Sequence, residues 1–571
     1  MCLLFIWKTV ALSLAKPYNH GGYFFTEEYL MKIRNKGKER GAAMKEYVCG
    51  LDFGTLSCRA VIVEAESGRI VGEGVSEYSH GVISGVLPDG TKIPPDFALQ
   101  DPEDYLQSLS LAVKSAISRS GVSPESIKGI GLDFTSATIL PVDDSFLPLC
   151  QDPRFSGNPH AYVKLWKHHG AIEEAKVLTE IFFKGTNSSY PGTEVSPEHG
   201  LPKILETFRK APEVFDAAAR FMEAGDYVNT VLTGKECHSA AYAGYKLMWQ
   251  EGKGYPPKEL LCRAEPSLKT VSDWKLSEDI EAITEPAGRL GKRGALLTGL
   301  PEGTAVAQGI IDAHAAIPGA GAIKDGDLVL TLGTSAAHML QASEYRDVPG
   351  IFGCMKSGVL PGLYTYEAGQ SAAGDIFSWF MKNQVPSSYE TEAKARGLNM
   401  HELLMEKAAL LPPGGNGLVA VDWLNGCRTP FNRADLTGML YGLTLSTKTE
   451  EIYRAYLESV AFGTRRILEN YEEHGVPVRK VFLCGGIAQK NPLLVQILAD
   501  VTRKAMHIVK EKQCAALGAA VYAAAAAKLY PGIREAAMAM CSPELHTVAP
   551  QRNYDDLYRK YRGLSDFLLK F

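Results

Sequence analysis

Gly50-Leu51-Asp52-Phe53-Gly54-Thr55 and Leu332-Gly333-Thr334-Ser335 are the two stretches on which the architecture of this chain turns. In the first, an apolar strand ends on a carboxylate, a glycine permits a tight turn and a hydroxyl follows. In the second, the apolar run Leu328 to Leu332 ends on the same glycine–threonine turn. Successive backbone N–H groups in such a turn can cradle phosphate oxygens, and a carboxylate beside them suits a hard cation such as Mg2+. One copy is also what an ordinary β-hairpin would contain. Two copies, in corresponding places of two similar halves, point to a phosphate chain clamped between domains.

Outward from the first turn, the order is strand, strand, helix, strand. Tyr47 to Asp52 and Cys58 to Val63 read as strands joined by tight glycine turns, with Ile70 and Val71 following Ser67-Gly68. Apolar residues at helical spacing (Leu106, Leu109, Leu111, Val113, Ile117) predict a helix over Pro102 to Ser120, started by Asp101 and a proline in the first turn. Ile127 to Asp133 is the next strand. The second half repeats the scheme, with an amphipathic helix over Glu450 to Glu473 and a strand over Val481 to Cys484. This is an α/β layered pattern. The 571 residues exceed one ordinary core. We divide them into 44–305 and 306–571, with the clearest loop, Pro412 to Gly417, inside the second half. Residues 1–43 carry no strand or helix order and read as an extension. Lys36-Gly37-Lys38-Glu39-Arg40-Gly41 can be encoded by purine-rich codons, as a bacterial ribosome-binding site is, which makes Met44 the expected natural start.

Composition excludes several classes. Hydrophobic residues are 46%, charged residues 22%, and the net charge of −5 offers no basic surface for nucleic acid or an anionic membrane. No apolar run approaches the roughly 18 residues of a spanning helix. Met1 to Ala15 is apolar but broken by Lys8, and lacks a positive n-region and a small-residue cleavage site. The 11 cysteines are scattered without CxxC pairs, as reduced thiols in a cytoplasm would be.

Two further motifs carry chemistry. Cys484-Gly485-Gly486-Ile487-Ala488-Gln489-Lys490-Asn491 places paired glycines after a buried strand, where backbone can approach an adenine or ribose closely, and Asn491-Pro492 reads as a helix cap. A plain strand-to-helix loop fits equally. Gly309-Ile310-Ile311-Asp312-Ala313-His314 ends an apolar strand on a carboxylate, which suits either a general base or a helix cap. There is no G-x-x-x-x-G-K-[ST] loop and no H-R-D catalytic loop, so a phosphotransferase here would use another nucleotide fold.

Taken in order, the four motifs resemble the two phosphate loops, the adenosine loop and the base motif of the actin-like ATPase fold, two ribonuclease-H-like domains around a catalytic cleft. The Gly-x-x-Asp-x-His segment is similar to that of the FGGY carbohydrate kinases, and the resemblance runs from about Met44 to about Tyr530. Gln513 to Ala520 looks like that family's late connecting helix, with small residues for close packing. The branch that phosphorylates L-ribulose is the most similar, through Gly131-Leu132-Asp133-Phe134-Thr135-Ser136, Asn158 to Lys167, Tyr366-Glu367-Ala368-Gly369-Gln370-Ser371 and Asp422-Trp423-Leu424-Asn425-Gly426.

The resemblance implies ATP and Mg2+ as cofactors, with Asp52 near the metal. It implies nucleotide contacts from Gly54, Thr55, Gly333, Thr334, Gly485, Gly486 and Asn491. Asp312 is implied as the base on the terminal sugar hydroxyl, and Lys203 and Glu367 as its hydrogen-bonding partners. Ala98 is implied to contact the sugar through its backbone, and a cytoplasmic role in L-arabinose breakdown follows. A homodimer is the expected assembly, which no residue fixes. Two stretches depart from the family: Ser196-Pro197-Glu198-His199 stands where Ser-Glu-Trp is usual, and His168-His169 follow Trp166-Lys167 where an acidic residue is common. The rival readings are a kinase for D-ribulose, xylulose or ribitol, a chaperone or filament protein of the same fold, and a sugar sensor without catalysis. A sensor would have no need of Asp312.

Overall fold

The computed structural model describes residues 45–184, 194–415, 417–541 and 545–571. Residues 1–43, read above as an extension, lie outside the described residues, as do Met44 and Asn416 of the Pro412 to Gly417 loop. Residues Tyr47–Phe571 form one compact unit.

Two seven-stranded sheets organise that unit. The first contains β1 (Tyr47–Phe53), β2 (Ser57–Glu64), β3 (Ile70–Glu77), β4 (Ile127–Phe134), β5 (Pro286–Arg289), β6 (Ala305–Ala307) and β7 (Ile310–Ile311). Its order is β3-β2-β1-β4-β6-β5, with β7 also paired to β4. The second contains β8 (Asp327–Leu332), β9 (Ala336–Ala342), β10 (Gly353–Lys356), β11 (Tyr364–Gln370), β12 (Lys480–Cys484), β13 (Met506–Val509) and β14 (Leu545–Val548), in the order β10-β11-β9-β8-β12-β13-β14. The halves correspond: β1 is antiparallel to β2 and parallel to β4, as β8 is antiparallel to β9 and parallel to β12. β1, β4, β8 and β12 are buried almost throughout, which is why they read as apolar runs rather than alternating patterns.

The helices that position the site are α1 (Pro102–Ser120), α2 (Gly200–Lys210), α3 (Ala240–Lys246), α4 (Asp312–Gly319), α5 (Thr449–Glu473), α6 (Pro492–Thr502) and α7 (Cys514–Ala526). α1 has the bounds its signals dictate: Asp101 accepts from the Glu103 N–H, Pro102 follows, and Gly121 ends it at φ 65°. α4 and α7 join the halves. The chain leaves the first sheet after Ile311 and α4 packs on β8 and β9, while α7, from the second half, packs on β1 and β4. The two helices cross at backbone distance. A Cβ on Gly518 would stand 1.8 Å from the Ala315 carbonyl oxygen, and one on Gly319 would stand 1.9 Å from that of Cys514. This crossing explains the small residues of α7, which no local pattern requires.

A smaller four-stranded sheet (Leu99–Gln100, Val163–Lys164, Ile139–Val142 and Arg220–Glu223) extends the first half. A buried ionic group fixes it to α2. Lys164 Nζ donates to Glu206 (2.7 Å), Thr207 Oγ1 (2.7 Å) and the Lys203 carbonyl (3.0 Å), and His168 Nε2 lies 2.9 Å from Glu206. Burial pushes His168 down to about 4, and the Lys164 charge adds to this, although the bond to Glu206 opposes it. Pairing of the two opposite charges is what makes such burial tolerable.

Candidate functional site

Three carboxylates meet where the first sheet faces the second half. Asp52, in β1, is in register with Asp133 in β4, and Asp133 is in turn in register with Ile310 of β7, just before Asp312. Asp52 receives Arg59 Nη1 at 3.1 Å. Asp133 is fully buried and, among the described residues, neither carboxylate oxygen receives a hydrogen bond. Burial, then the charges of Asp52 and Asp312, hold it well above the carboxylate range.

Asp312 opens α4, but its side chain does not cap the helix: Oδ1 accepts only from the adjacent Ala313 N–H, at 2.6 Å. The strand leading to it is pinned from below, because Asn229, Ser239 and Tyr242 donate to the carbonyls of Ala307, Gly309 and Ile310. Burial raises Asp312 to about 7. Asp52 and Glu367 push the same way, against the Ala313 N–H and the Lys246 charge. A carboxylate so tuned takes a proton near neutrality.

Glu367, on β11, points toward the same place. Lys246, the last residue of α3, donates to its Oε1 and Oε2 at 3.2 and 3.1 Å, from the opposite half. Burial alone would raise Glu367, but Lys246 and then His314 outweigh it and keep it below the ordinary range. His314 lies against Tyr245 with both ring nitrogens buried, its Nε2 is 3.9 Å from Glu367 Oε2, beyond hydrogen-bond reach, and burial lowers it to about 4.

Lys203 is placed differently from Lys246. It is fully buried and donates to the carbonyls of Ala137 (2.6 Å), Leu165 (2.8 Å) and Trp166 (3.4 Å), so its three protons are engaged by main chain. The ammonium facing Glu367 is that of Lys246, which the sequence reading did not single out. The Ala98 carbonyl accepts from the Leu165 N–H at 3.0 Å, joining the same wall. Of the departing residues, His168 is buried on Glu206, and His169 reaches Glu198 at 3.3 Å.

The glycine loops are each held within their own half. Thr55 Oγ1 accepts from Trp166 Nε1 at 3.2 Å. The Thr334 carbonyl accepts from the N–H groups of Ala373 and Asp375. A Cβ added to Gly54 or Gly333 would meet nothing nearer than a carbonyl oxygen at 3.7 Å, and one on Gly486 nothing within 4 Å. The space before these glycines is therefore open, as a phosphate cradle requires. Gly485 has φ 96°, and its Cβ would stand 2.4 Å from the Leu332 oxygen, so this close approach to the second loop needs glycine. Asn491 caps α6 through the Leu494 N–H at 2.9 Å.

Beside the second loop lies a cavity of about 530 Å³, lined by Asp375, Ile376, Trp379, Asn425, Met439 and Tyr456 among others. It adjoins the loops through Gly374, whose Cβ would meet the Gly333 oxygen and the Ile487 side chain. That volume and its aromatic lining suit a purine nucleoside. Among the described residues no group of three or more His, Cys, Asp or Glu could hold a metal alone. Asp52, with the buried Asp133 behind it, fits a cation held chiefly by phosphate oxygens.

Two matched sheets, each with a glycine–threonine turn after its first central strand, define the two-domain actin-like ATPase fold. Solved structures share the fold: a xylulose kinase from Rhodospirillum rubrum (TM-score 0.74, 23% identity, 92% of this chain and 99% of that one) and a Plasmodium falciparum glycerol kinase with ADP (0.72, 18%, 92% and 98%). Residues 47–319 match the N-terminal domain, and 328–527 the C-terminal domain, of the FGGY family of carbohydrate kinases. The chain belongs to that family. Curated relatives named ribulokinase include those of Geobacillus thermodenitrificans (44% identity, 92% of this chain and 94% of the relative) and Anoxybacillus flavithermus (43%, 92% and 94%). Among the described residues, no helix is long and apolar enough to cross a membrane.

Proposed function

We propose that this carbohydrate kinase transfers the terminal phosphoryl group of ATP to the 5-hydroxyl of L-ribulose. The observation that carries the mechanism is the Asp312 carboxylate, held near neutrality in pKa and flanked by the Lys246–Glu367 pair. The sugar substrate rests on the relatives' shared name.

Asp312 accepts the proton of the sugar hydroxyl as its oxygen bonds to the γ-phosphorus and the bridging P–O bond breaks, leaving ADP. Little covalent chemistry falls to the protein. Positioning and charge neutralisation carry phosphoryl transfer. Lys246 donates to sugar hydroxyls and Glu367 accepts from them, so one pair reads both polarities of a polyol. Lys203 holds the main chain at Ala137, Leu165 and Trp166, and with Ala98 it shapes the pocket wall. Gly54, Thr55, Gly333 and Thr334 flank the phosphates. Gly485 and Gly486 edge the nucleoside, and Asn491 sets the start of α6 beneath it. Mg2+, when bound with the nucleotide, supplies charge neutralisation, and Asp52 would hold it directly or through water. A cytoplasmic homodimer serving L-arabinose breakdown is the cellular setting of this reading.

The test is coupled ADP release with Mg-ATP against L-ribulose, D-ribulose, L-xylulose, D-xylulose and ribitol. L-Ribulose should give the highest kcat/KM. A clear preference for another sugar would leave the mechanism and replace the substrate. Sugar-independent ATP turnover alone would favour the chaperone reading.

A further inference from the structure

The departing stretch Ser196 to His199 has a role that the catalytic reading leaves unused. We infer that Glu198, Phe352 and Arg428 form a clasp between the halves that sets how tightly the sugar is held, an inference that rests on the sugar-kinase reading above.

Glu198 and His199 immediately precede α2, and Lys246 ends α3, all in the first half. Phe352, Glu367 and Arg428 belong to the second. The Phe352 ring stands at the junction, with Lys246 Nζ 4.9 Å and Arg428 Cζ 5.1 Å from its centroid and the His199 ring edge-on at 5.3 Å. Its main chain is tied to the sugar site, since the Phe352 N–H donates to the Glu367 carbonyl at 2.7 Å. Arg428 Nη2 lies 3.7 Å from Glu198 Oε2, and His169 Nε2 holds the other oxygen at 3.3 Å. Glu198 is thus oriented from its own half and presented to the other.

Three of these six contacts join the halves, and they exist only while the halves are this close. Those of Lys246 and His199 with Phe352, and of Glu198 with Arg428, vanish if the halves part. Contacts made only in the closed state raise its population, and sugar affinity scales with the closed fraction. Arg428 matters twice. Its guanidinium stacks on Phe352 and its charge meets Glu198, two interactions that a lysine reproduces only in part. Arg428 is a positioning residue in this account and touches no reacting atom.

The experiment compares wild type with Glu198→Gln, Arg428→Gln, Arg428→Lys and the double variant Glu198→Gln/Arg428→Gln. Each glutamine variant should raise the KM for L-ribulose about fivefold to tenfold, the size of a partly buried ion pair or cation–π contact, with kcat within about twofold. The double variant should be little worse than Arg428→Gln alone, because that change already removes the contact with Glu198. Arg428→Lys should recover part of the loss. Without ligands, the double variant should have a larger radius of gyration by small-angle scattering. Unchanged KM, strictly multiplicative effects or an unchanged radius would overturn the clasp. A wild type that phosphorylates no sugar would instead overturn the function reading, and the scattering result would still decide the clasp.

Discussion

Replacing Asp312 with asparagine should slow turnover by orders of magnitude and stabilise the protein. The buried carboxylate is raised from an ordinary 3.8 to about 7, with burial as the main cause. Native protein therefore holds a proton there that the unfolded chain has lost. Stability falls as pH rises from about 4 to about 7 and stays at the lower level above. Each pH unit in that window is worth about 1.4 kcal/mol, which caps the effect at about 4 kcal/mol. Asp312 keeps partial solvent contact, so we expect the Asp312→Asn variant to gain about 2 kcal/mol at pH 8 and almost nothing at pH 4. Chemical denaturation at both pH values, with intact mass to exclude deamidation, measures this. Activity should drop by about 10²-fold to 10⁴-fold, the range for a lost general base. A variant no more stable than wild type at pH 8 would refute the electrostatic reasoning, and one that keeps its activity would remove Asp312 as the base.

Lys246→Met removes the charge that holds both Glu367 and Asp312 down. We expect a KM for sugar raised about 30-fold or more, and an acid limb of the kcat–pH profile moved to higher pH than in wild type. Lys203→Met should strip the Ala137 and Trp166 carbonyls of their Lys203 donor, leave that of Leu165 with the His168 N–H alone, and destabilise by about 2–4 kcal/mol in denaturant melts, with a smaller effect on KM than Lys246→Met. Gly518→Ala forces a methyl group against the Ala315 backbone, and should lower stability by about 3 kcal/mol or more. Gly485→Ala should raise the KM for ATP far more than that for sugar, since its Cβ displaces the second phosphate loop.

The elements best read from sequence were those with local signals. Asp101-Pro102 and Gly121 bound α1 where expected, and the apolar runs at 328–332 and 481–484 became β8 and β12. The glycine–threonine turns were legible because each ends an apolar strand, although neither Gly54 nor Gly333 is at positive φ. The Lys246–Glu367 pair was not. Both lysines end or occupy short helices, and only the tertiary fold turns Lys203 onto carbonyls and Lys246 across the cleft. The one local hint was a lysine closing the otherwise apolar Ala240-Ala241-Tyr242-Ala243-Gly244-Tyr245 run. The cavity at Trp379, Asn425 and Tyr456 comes from three distant segments, so no window of sequence contains it. The motif Asn158 to Lys167 was visible as a pattern, but its role in burying Lys164 against Glu206 appears only in three dimensions.

The central claim is that an L-ribulose hydroxyl is phosphorylated at carbon 5 through Asp312. Incubation of the purified protein with Mg-ATP and L-ribulose, followed by phosphorus NMR and mass spectrometry of the sugar, tests it most directly. The account predicts stoichiometric L-ribulose 5-phosphate and ADP, formed about 10²-fold to 10⁴-fold more slowly by Asp312→Asn. Inorganic phosphate with unmodified sugar, or phosphorylation at another hydroxyl, would contradict it.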